Sequence, residues 1–249
     1  MSKKRLKLKV KNLIVLLLIF LFLVLIGYSG FKIIHYMYNT NVTEELTEEL
    51  NDYIKISSED ENNIIIDFNK LKEDNPDTVA WLRVNNTNIS YPVVKGNDNE
   101  YYLKHNFKKK WSESGWIFAN HLNRFDGTDD NIVIFGHAMR NKTMFGELNK
   151  VLSKEWLDDE SNKKIQLITE DGVQIYKIFS IYKIEAEEYY ITTKFSESDF
   201  EDFKNTIMKR SLYDFKENKA EMNNILTLST CYDNNNTRLV VHAFKVDNN

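Results

Sequence analysis

The sequence predicts a mainly β domain with helices, an α+β fold in which about eight short strands form a closed or nearly closed β-barrel. The first observation is a series of short runs rich in β-branched and aromatic residues, separated by polar clusters typical of turns. The second is the composition, because 42% hydrophobic and 13% aromatic residues are enough for a packed core. The predicted strands are residues 79–84, 89–94, 115–119, 132–135, 164–168, 173–184, 225–230 and 239–246.

Helices are expected outside this barrel, where apolar residues recur at helical spacing. Thr43 is a candidate cap for the first helix, Pro76 follows the second, and Ser196 or Ser198 can cap the last. The segment 170–172 (Glu-Asp-Gly) predicts a hairpin between the fifth and sixth strands. The predicted helices are residues 43–53, 65–74, 145–157 and 197–209.

Composition and charge exclude several classes of protein. The single cysteine excludes a disulfide scaffold and a multi-cysteine zinc site. The sequence has neither a His-Glu-x-x-His motif nor EF-hand spacing, so we expect no metal and no cofactor. Residues 1–32 carry seven basic and no acidic residues, which leaves 26 basic against 37 acidic residues in 33–249. An acidic globular part argues against binding to nucleic acid.

An apolar run near the N-terminus predicts a membrane anchor. Residues 13–26 are uninterrupted apolar residues, and residues 27–31 extend the run to nineteen. Nineteen helical residues are about 28 Å long, close to the ~30 Å of the hydrocarbon core. Six basic residues precede the run, which predicts a cytoplasmic N-terminus and an exported remainder. A cleaved signal peptide and a buried core helix are the alternatives.

The chain is therefore divided into four predicted segments. We expect a cytoplasmic basic tail, a transmembrane signal anchor and an acidic helical stalk, followed by a globular domain. The acidic face of the stalk is interpreted as a solvated surface, with a partner site as the alternative. These segments are residues 1–12, 13–31, 32–64 and 65–249.

Cys231 is the candidate nucleophile, because it ends a predicted strand and a strand end is a rigid place from which to present a thiol. A thiol with a pKa of about 8.5 is mostly protonated at neutral pH and needs a base or a cation nearby to attack an acyl carbon. The alternative is a small, buried and unreactive side chain.

Of five histidines, His137 is the preferred base and His121 its competitor, because each follows a predicted strand. His35 lies beside the apolar run, His105 lies in a basic loop, and His242 is expected to be a core residue of the last strand. Arg238 follows Cys231 and opens that strand. It stays protonated and can donate hydrogen bonds to an oxyanion, although a surface ion pair is the alternative.

The motifs together resemble the sortase family. The segment 227–231 (Thr-Leu-Ser-Thr-Cys) with Arg238 resembles the sortase signature, and 136–137 (Gly-His) with 144–148 (Met-Phe-Gly-Glu-Leu) resembles its histidine segment. Further segments are similar to class B sortases in particular, and the resemblance covers about residues 65–246. They are residues 75–82, 89–94 and 102–103 and the helix-bearing insertion 196–211 before the penultimate strand.

The resemblance implies a membrane-anchored cysteine transpeptidase built on a closed eight-stranded β-barrel with N-terminal helices. Such an enzyme cleaves the sorting signal of a secreted protein after threonine and transfers it to an amine of the peptidoglycan precursor. It implies that Cys231 is the nucleophile, His137 the general acid and base, and Arg238 the oxyanion donor. The catalytic domain would lie outside the membrane, facing the cell wall.

The resemblance also implies which residues bind the signal: Asn99, Leu103, Tyr190, Ile191, Ser229 and Thr230. Two other functions are compatible with the same residues. One is an extracytoplasmic cysteine peptidase or hydrolase, in which water is the acceptor. The other is a surface-binding module without activity, in which Cys231 is inert.

Overall fold

The computed structural model describes residues 2–56, 64–231 and 237–246, and the side chains of 11–56, 64–230 and 237–246. Helix α1 is Ser2–Asn51. The chain divides into two compact units, Met1–Val42 and Thr43–Asn249. Within the described part, α1 is long and apolar enough to cross a membrane by length and composition, properties that a signal sequence shares.

The second unit contains a closed eight-stranded barrel, as the sequence predicts. The barrel order is β10-β8-β7-β3-β4-β5-β6-β9. All neighbouring pairs are antiparallel except β4–β5 and β6–β9. In chain order the barrel strands are β3 (Thr78–Val84), β4 (Ser90–Val94), β5 (Phe118–Ala119), β6 (Asn131–Gly136), β7 (Lys164–Thr169), β8 (Gly172–Glu185), β9 (Ile225–Cys231) and β10 (Thr237–Val246).

The predicted hairpin joins β7 to β8. Thr169 pairs with Gly172, which leaves a two-residue turn. Gly172 has a φ of +124°, a conformation that side-chain-bearing residues rarely adopt. The turn glycine therefore fixes the register of the two strands.

Helix α4 (Glu197–Arg210) packs against the outer face of the barrel. Ser196 is its N-cap and accepts a hydrogen bond from the backbone N–H of Asp199, as one of the two predicted caps. Phe203 and Ile207 are fully buried with side chains of β8 and β10, among them Phe179, Tyr182, Val240 and Phe244. The amphipathic pattern therefore places the helix on the barrel wall, before the penultimate strand.

The single helix predicted over residues 145–157 is wrong. The chain forms a 3₁₀ turn, Leu148–Leu152, and then the short helix α3, Lys154–Leu157. Ser153 separates them in an extended conformation, and its side chain accepts a hydrogen bond from the backbone N–H of Trp156. A serine that caps a new helix ends the previous one, although the apolar spacing fits a continuous helix.

The third predicted strand is shorter than expected. Only β5, Phe118–Ala119, remains of residues 115–119. Gly115 has a φ of +55°, and a Cβ there would lie 2.5 Å from the carbonyl oxygen of Tyr102. The backbone N–H of Trp116 donates to this same carbonyl at 2.9 Å, so the segment is attached to the preceding loop instead of the sheet.

A short hairpin precedes the barrel and was not predicted. Strands β1 (Ile54–Ile56) and β2 (Ile64–Ile66) pair antiparallel, and helix α2 begins only at Phe68 (Phe68–Asp74). The first residues of the predicted helix 65–74 therefore belong to a strand. Residues 57–63 of the predicted stalk lie outside the described residues.

The last turns of α1 belong to the barrel unit. Leu46 and Leu50 are buried in its main apolar core, as their helical spacing suggests. Thr43 does not begin a helix but lies inside α1, and its hydroxyl donates to Ser114 Oγ at 3.3 Å. Part of the segment predicted as a stalk is therefore packed into the folded domain.

Leu50→Ala should lower the free energy of unfolding by about 3 kcal/mol, since it empties a fully buried site. Leu212→Ala is the control, because this side chain is 56% exposed. Thermal unfolding of the detergent-solubilised chain by tryptophan fluorescence measures both, because all four tryptophans lie in the barrel unit. Equal melting temperatures for the two variants would contradict the packing of α1.

Candidate active site

The carboxyl ends of β6 and β9 lie side by side because these strands are parallel. Gly136 pairs with Thr230, so His137 and Cys231 are the next residues on neighbouring strands. On the other side of β9, Arg238 at the start of β10 pairs with Cys231. The backbone thus brings together the three residues selected from the sequence. The side chain of Cys231 and residues 232–236 of the following loop lie outside the described part.

His137 is half-buried, and its Nε2 lies 3.0 Å from the carbonyl oxygen of Leu103. A carbonyl oxygen only accepts hydrogen bonds, so Nε2 carries a proton and Nδ1 keeps the lone pair of the neutral ring. Burial lowers the pKa of His137 and the charges of Lys104 and Arg238 lower it further, although the bond to Leu103 opposes them. The imidazole is therefore neutral near pH 7 and able to accept a proton.

Packing explains the glycine before this histidine. A Cβ on Gly136 would lie 2.5 Å from Ile117 Cδ1 and 2.9 Å from Phe145 Cδ2. After the glycine, the carbonyl of His137 accepts hydrogen bonds from the backbone N–H groups of Phe145, at 2.9 Å, and Met139, at 3.1 Å. The main chain on both sides of the imidazole is therefore fixed.

Arg238 is half-buried, and its guanidinium donates a hydrogen bond to the carbonyl of Thr237 at 3.4 Å. Among the described residues no carboxylate forms an ion pair with it. It therefore supplies a permanent positive charge and several N–H donors to this edge of the barrel.

A cleft of about 340 Å³ begins at this edge. It contains His137 and Arg238 and all six residues expected to bind a sorting signal: Asn99, Leu103, Tyr190, Ile191, Ser229 and Thr230. The sequence analysis missed other residues that line it: Phe118, Phe135, Gly136, Ala186, Glu187 and Glu188. The facing rings of Phe118 and Phe135, 5.2 Å apart, make one wall apolar. Strand alternation alone does not distinguish such a cleft residue from a core residue.

The polar side chains of the cleft are held by one another. Ser229 Oγ donates to the hydroxyl of Tyr190 at 3.3 Å. Asn99 Oδ1 accepts from the backbone N–H of His121 at 2.9 Å, and Asn99 Nδ2 lies 3.4 Å from Asn120 Oδ1. The cleft is therefore preformed, with few side chains left to order when a ligand binds.

The other histidines lie elsewhere in the barrel unit. His121 is exposed and does not line the cleft, and His105 stacks on Tyr101 at 4.0 Å. His242 is fully buried, as its place in the last strand predicts, and bonds to Thr227 and Tyr182. Burial, with a smaller contribution from the charge of Arg210, lowers the pKa of His242 to about 3.

Comparison with known proteins identifies the family. The model of the Sortase domain matches residues 82–246. The chain belongs to the sortase family. Among curated relatives, sortase B of Listeria monocytogenes is 34% identical over 195 residues, which are 77% of this chain and 70% of that protein. The class is therefore B, and the enzymes of this family are cysteine transpeptidases.

Solved sortase structures share this barrel. Sortase B of Clostridium perfringens is 39% identical and superposes with a TM-score of 0.66, covering 72% of this chain and all of that one. Sortase B of Staphylococcus aureus complexed with triglycine is 28% identical with a TM-score of 0.67, covering 73% of this chain and 86% of that one. The resemblance identified from the motifs is confirmed for family, class and fold.

His242 should make this sortase less stable in acid. The unfolded chain binds a proton on this residue below about pH 6.5, whereas the folded chain does so only near pH 3. The free energy of unfolding therefore falls as the pH falls through this window. In His242→Gln, its slope against pH should be smaller by about 1 kcal/mol per pH unit.

Urea unfolding at several pH values between about 4 and 6 measures this slope. His121→Gln is the matched control, because His121 is exposed and should leave the slope unchanged. A slope in His242→Gln that equals the wild-type slope would show that the folded protein protonates His242 readily.

Proposed function

We propose that this sortase cleaves a C-terminal sorting signal of secreted proteins after threonine and joins the new carboxyl end to an amine of the peptidoglycan precursor. The observation that carries the proposal is the position of Cys231 in the backbone. It lies between His137 and Arg238 on adjacent strands, at the edge of a preformed cleft. One nucleophile, one base and one oxyanion donor are the groups that acyl transfer requires.

In the first half-reaction, the Cys231 sulfur attacks the threonine carbonyl carbon. His137 receives the thiol proton on Nδ1, since its Nε2 is bonded to Leu103. Arg238 donates hydrogen bonds to the oxyanion that forms. The peptide C–N bond then breaks, the leaving amine takes the proton from His137, and a thioester remains on Cys231.

In the second half-reaction, an amine attacks the thioester carbon and His137 removes its proton. The C–S bond breaks, a new amide forms, and Cys231 is regenerated. The structure of the Staphylococcus aureus relative with triglycine supports an acceptor with a glycine-type amine. A hydrolase would use water in this step, and that is the second candidate function.

The cleft is suited to an extended peptide with a small polar requirement. Its wall of Phe118 and Phe135 offers apolar area, and its polar groups are few and fixed. We assign the contacts with the signal to the six residues expected from the resemblance: Asn99, Leu103, Tyr190, Ile191, Ser229 and Thr230.

The same proposal includes a location. Residues 13–31 anchor the enzyme as a single span, residues 1–12 stay in the cytoplasm, and the stalk of residues 32–64 connects to the catalytic domain, residues 65–249, outside, facing the wall. The apolar run and the basic residues before it support this orientation.

The function is tested with the detergent-solubilised chain and fluorogenic sorting-signal peptides, with and without triglycine. We expect mass spectrometry to find an acyl adduct on Cys231 that becomes an amide product when triglycine is present. Cys231→Ala should fold, bind peptide and form no adduct. Free acid as the sole product in excess triglycine would favour the hydrolase, and no adduct with any peptide would contradict the assignment of Cys231.

Arg238→Lys should lower kcat/KM by about 100-fold, because lysine keeps the charge but loses the planar array of donors that holds an oxyanion. The matched control is Arg124→Lys, at an arginine that is 70% exposed and paired with Asp126. Steady-state cleavage of the preferred peptide measures both variants. A wild-type rate for Arg238→Lys would assign Arg238 a structural role.

A further inference from the structure

A row of four buried polar side chains crosses four adjacent strands of the barrel. The hydroxyl of Tyr182 on β8 lies 2.8 Å from His242 Nε2 on β10, and His242 Nδ1 lies 2.8 Å from Thr227 Oγ1 on β9. Thr227 Oγ1 lies 2.6 Å from Asn131 Oδ1 on β6. Each of the four is at most 2% exposed, so each needs its partners inside the protein.

The direction of this hydrogen-bonded row is determined at Asn131. Its Nδ2 lies 3.2 Å from the carbonyl oxygen of Tyr190 and 2.9 Å from that of Thr192. Carbonyl oxygens only accept, so the NH₂ group faces them and Oδ1 faces Thr227. Thr227 must therefore donate its one proton to Asn131, and His242 Nδ1–H must donate to Thr227. Nε2 of the neutral ring then accepts from Tyr182.

The row ends at one wall of the cleft. Tyr190 and Ile191 line the cleft, and the carbonyls of this segment are held from the barrel. Asn120 Nδ2 donates to Ile191 at 3.1 Å, and the backbone N–H of Asn131 donates to Thr193 at 3.2 Å. The segment forms a single 3₁₀ turn, Tyr189–Ile191, so side-chain bonds attach it where a strand would have a ladder.

We propose that Asn131, oriented by Thr227 and His242, is a positioning residue that holds the Tyr190–Ile191 wall and thereby sets the affinity for the sorting peptide. Asn131 is fully buried and acts through the two carbonyls, not by touching the peptide. This inference rests on the proposed function, because it assumes that the cleft binds the signal. Loss of the alignment weakens binding of ground state and transition state alike, so KM rises and kcat stays the same.

The first test compares two substitutions at one position. Thr227→Val has the same shape but no hydroxyl, so it leaves Asn131 Oδ1 and His242 Nδ1 without their partner. Thr227→Ser keeps the hydroxyl. We expect Thr227→Val to raise KM for the peptide by about tenfold with kcat within about twofold of wild type, and Thr227→Ser to restore the wild-type KM.

The second test changes the donor itself. Asn131→Asp is isosteric, but its carboxylate cannot donate to the carbonyls of Tyr190 and Thr192, and KM should rise at least as much as in Thr227→Val. The matched control is Asn162→Asp, since Asn162 is also a buried asparagine but donates to Trp156, away from the cleft. Its KM should equal that of wild type.

Melting temperatures and peptide binding to the same variants in a Cys231→Ala background accompany the kinetics. If Thr227→Val does not fold, Asn131→Asp decides. A folded Thr227→Val and Asn131→Asp with wild-type KM, or an equal rise in Asn162→Asp, would overturn the positioning role. Failure of the wild-type enzyme to turn over any peptide would instead contradict the proposed function, so the two failures are distinguishable.

Discussion

The parallel pairing of β6 with β9 is the constraint on which the site depends. Parallel neighbours end at the same edge, so His137 and Cys231 are adjacent although they are far apart in sequence. An antiparallel pair would place the residue after β6 at the opposite edge of the barrel. Parallel strands need a long crossover, and here it contains β7, β8 and α4. The same connection that permits the pairing also supplies the Tyr190–Ile191 wall of the cleft.

Burial keeps two histidines neutral in two different settings. His137 is half-buried at the barrel edge, where Leu103 fixes which nitrogen carries the proton. His242 lies among α4 and the strands, where its two nitrogens connect Tyr182 to Thr227. In each case a single partner of fixed hydrogen-bonding capacity determines the tautomer. The first histidine remains able to exchange a proton with a bound group, and the second is committed on both sides.

Local signals made much of the barrel predictable from the sequence. The turn glycine at Gly172, the cap at Ser196 and the short strands are determined by neighbouring residues, and the structure has them where they were expected. The break at Ser153, the loop attachment of Trp116 and the hairpin of β1 and β2 depend on partners distant in sequence. Family motifs placed His137 and Arg238, but Phe118 and Phe135 face the cleft only because the barrel curves around it.

The place of β10 in the barrel also determines when the enzyme can become active. This strand follows every other barrel strand in the chain, yet it pairs with both β8 and β9 and closes the sheet. During export the earlier strands emerge first and have no complete sheet to join. Cys231 and Arg238 belong to the last two strands, so neither can be placed opposite His137 until translocation has passed residue 246. A half-exported chain therefore has no assembled site, and transpeptidation begins only after the polypeptide has left the export channel.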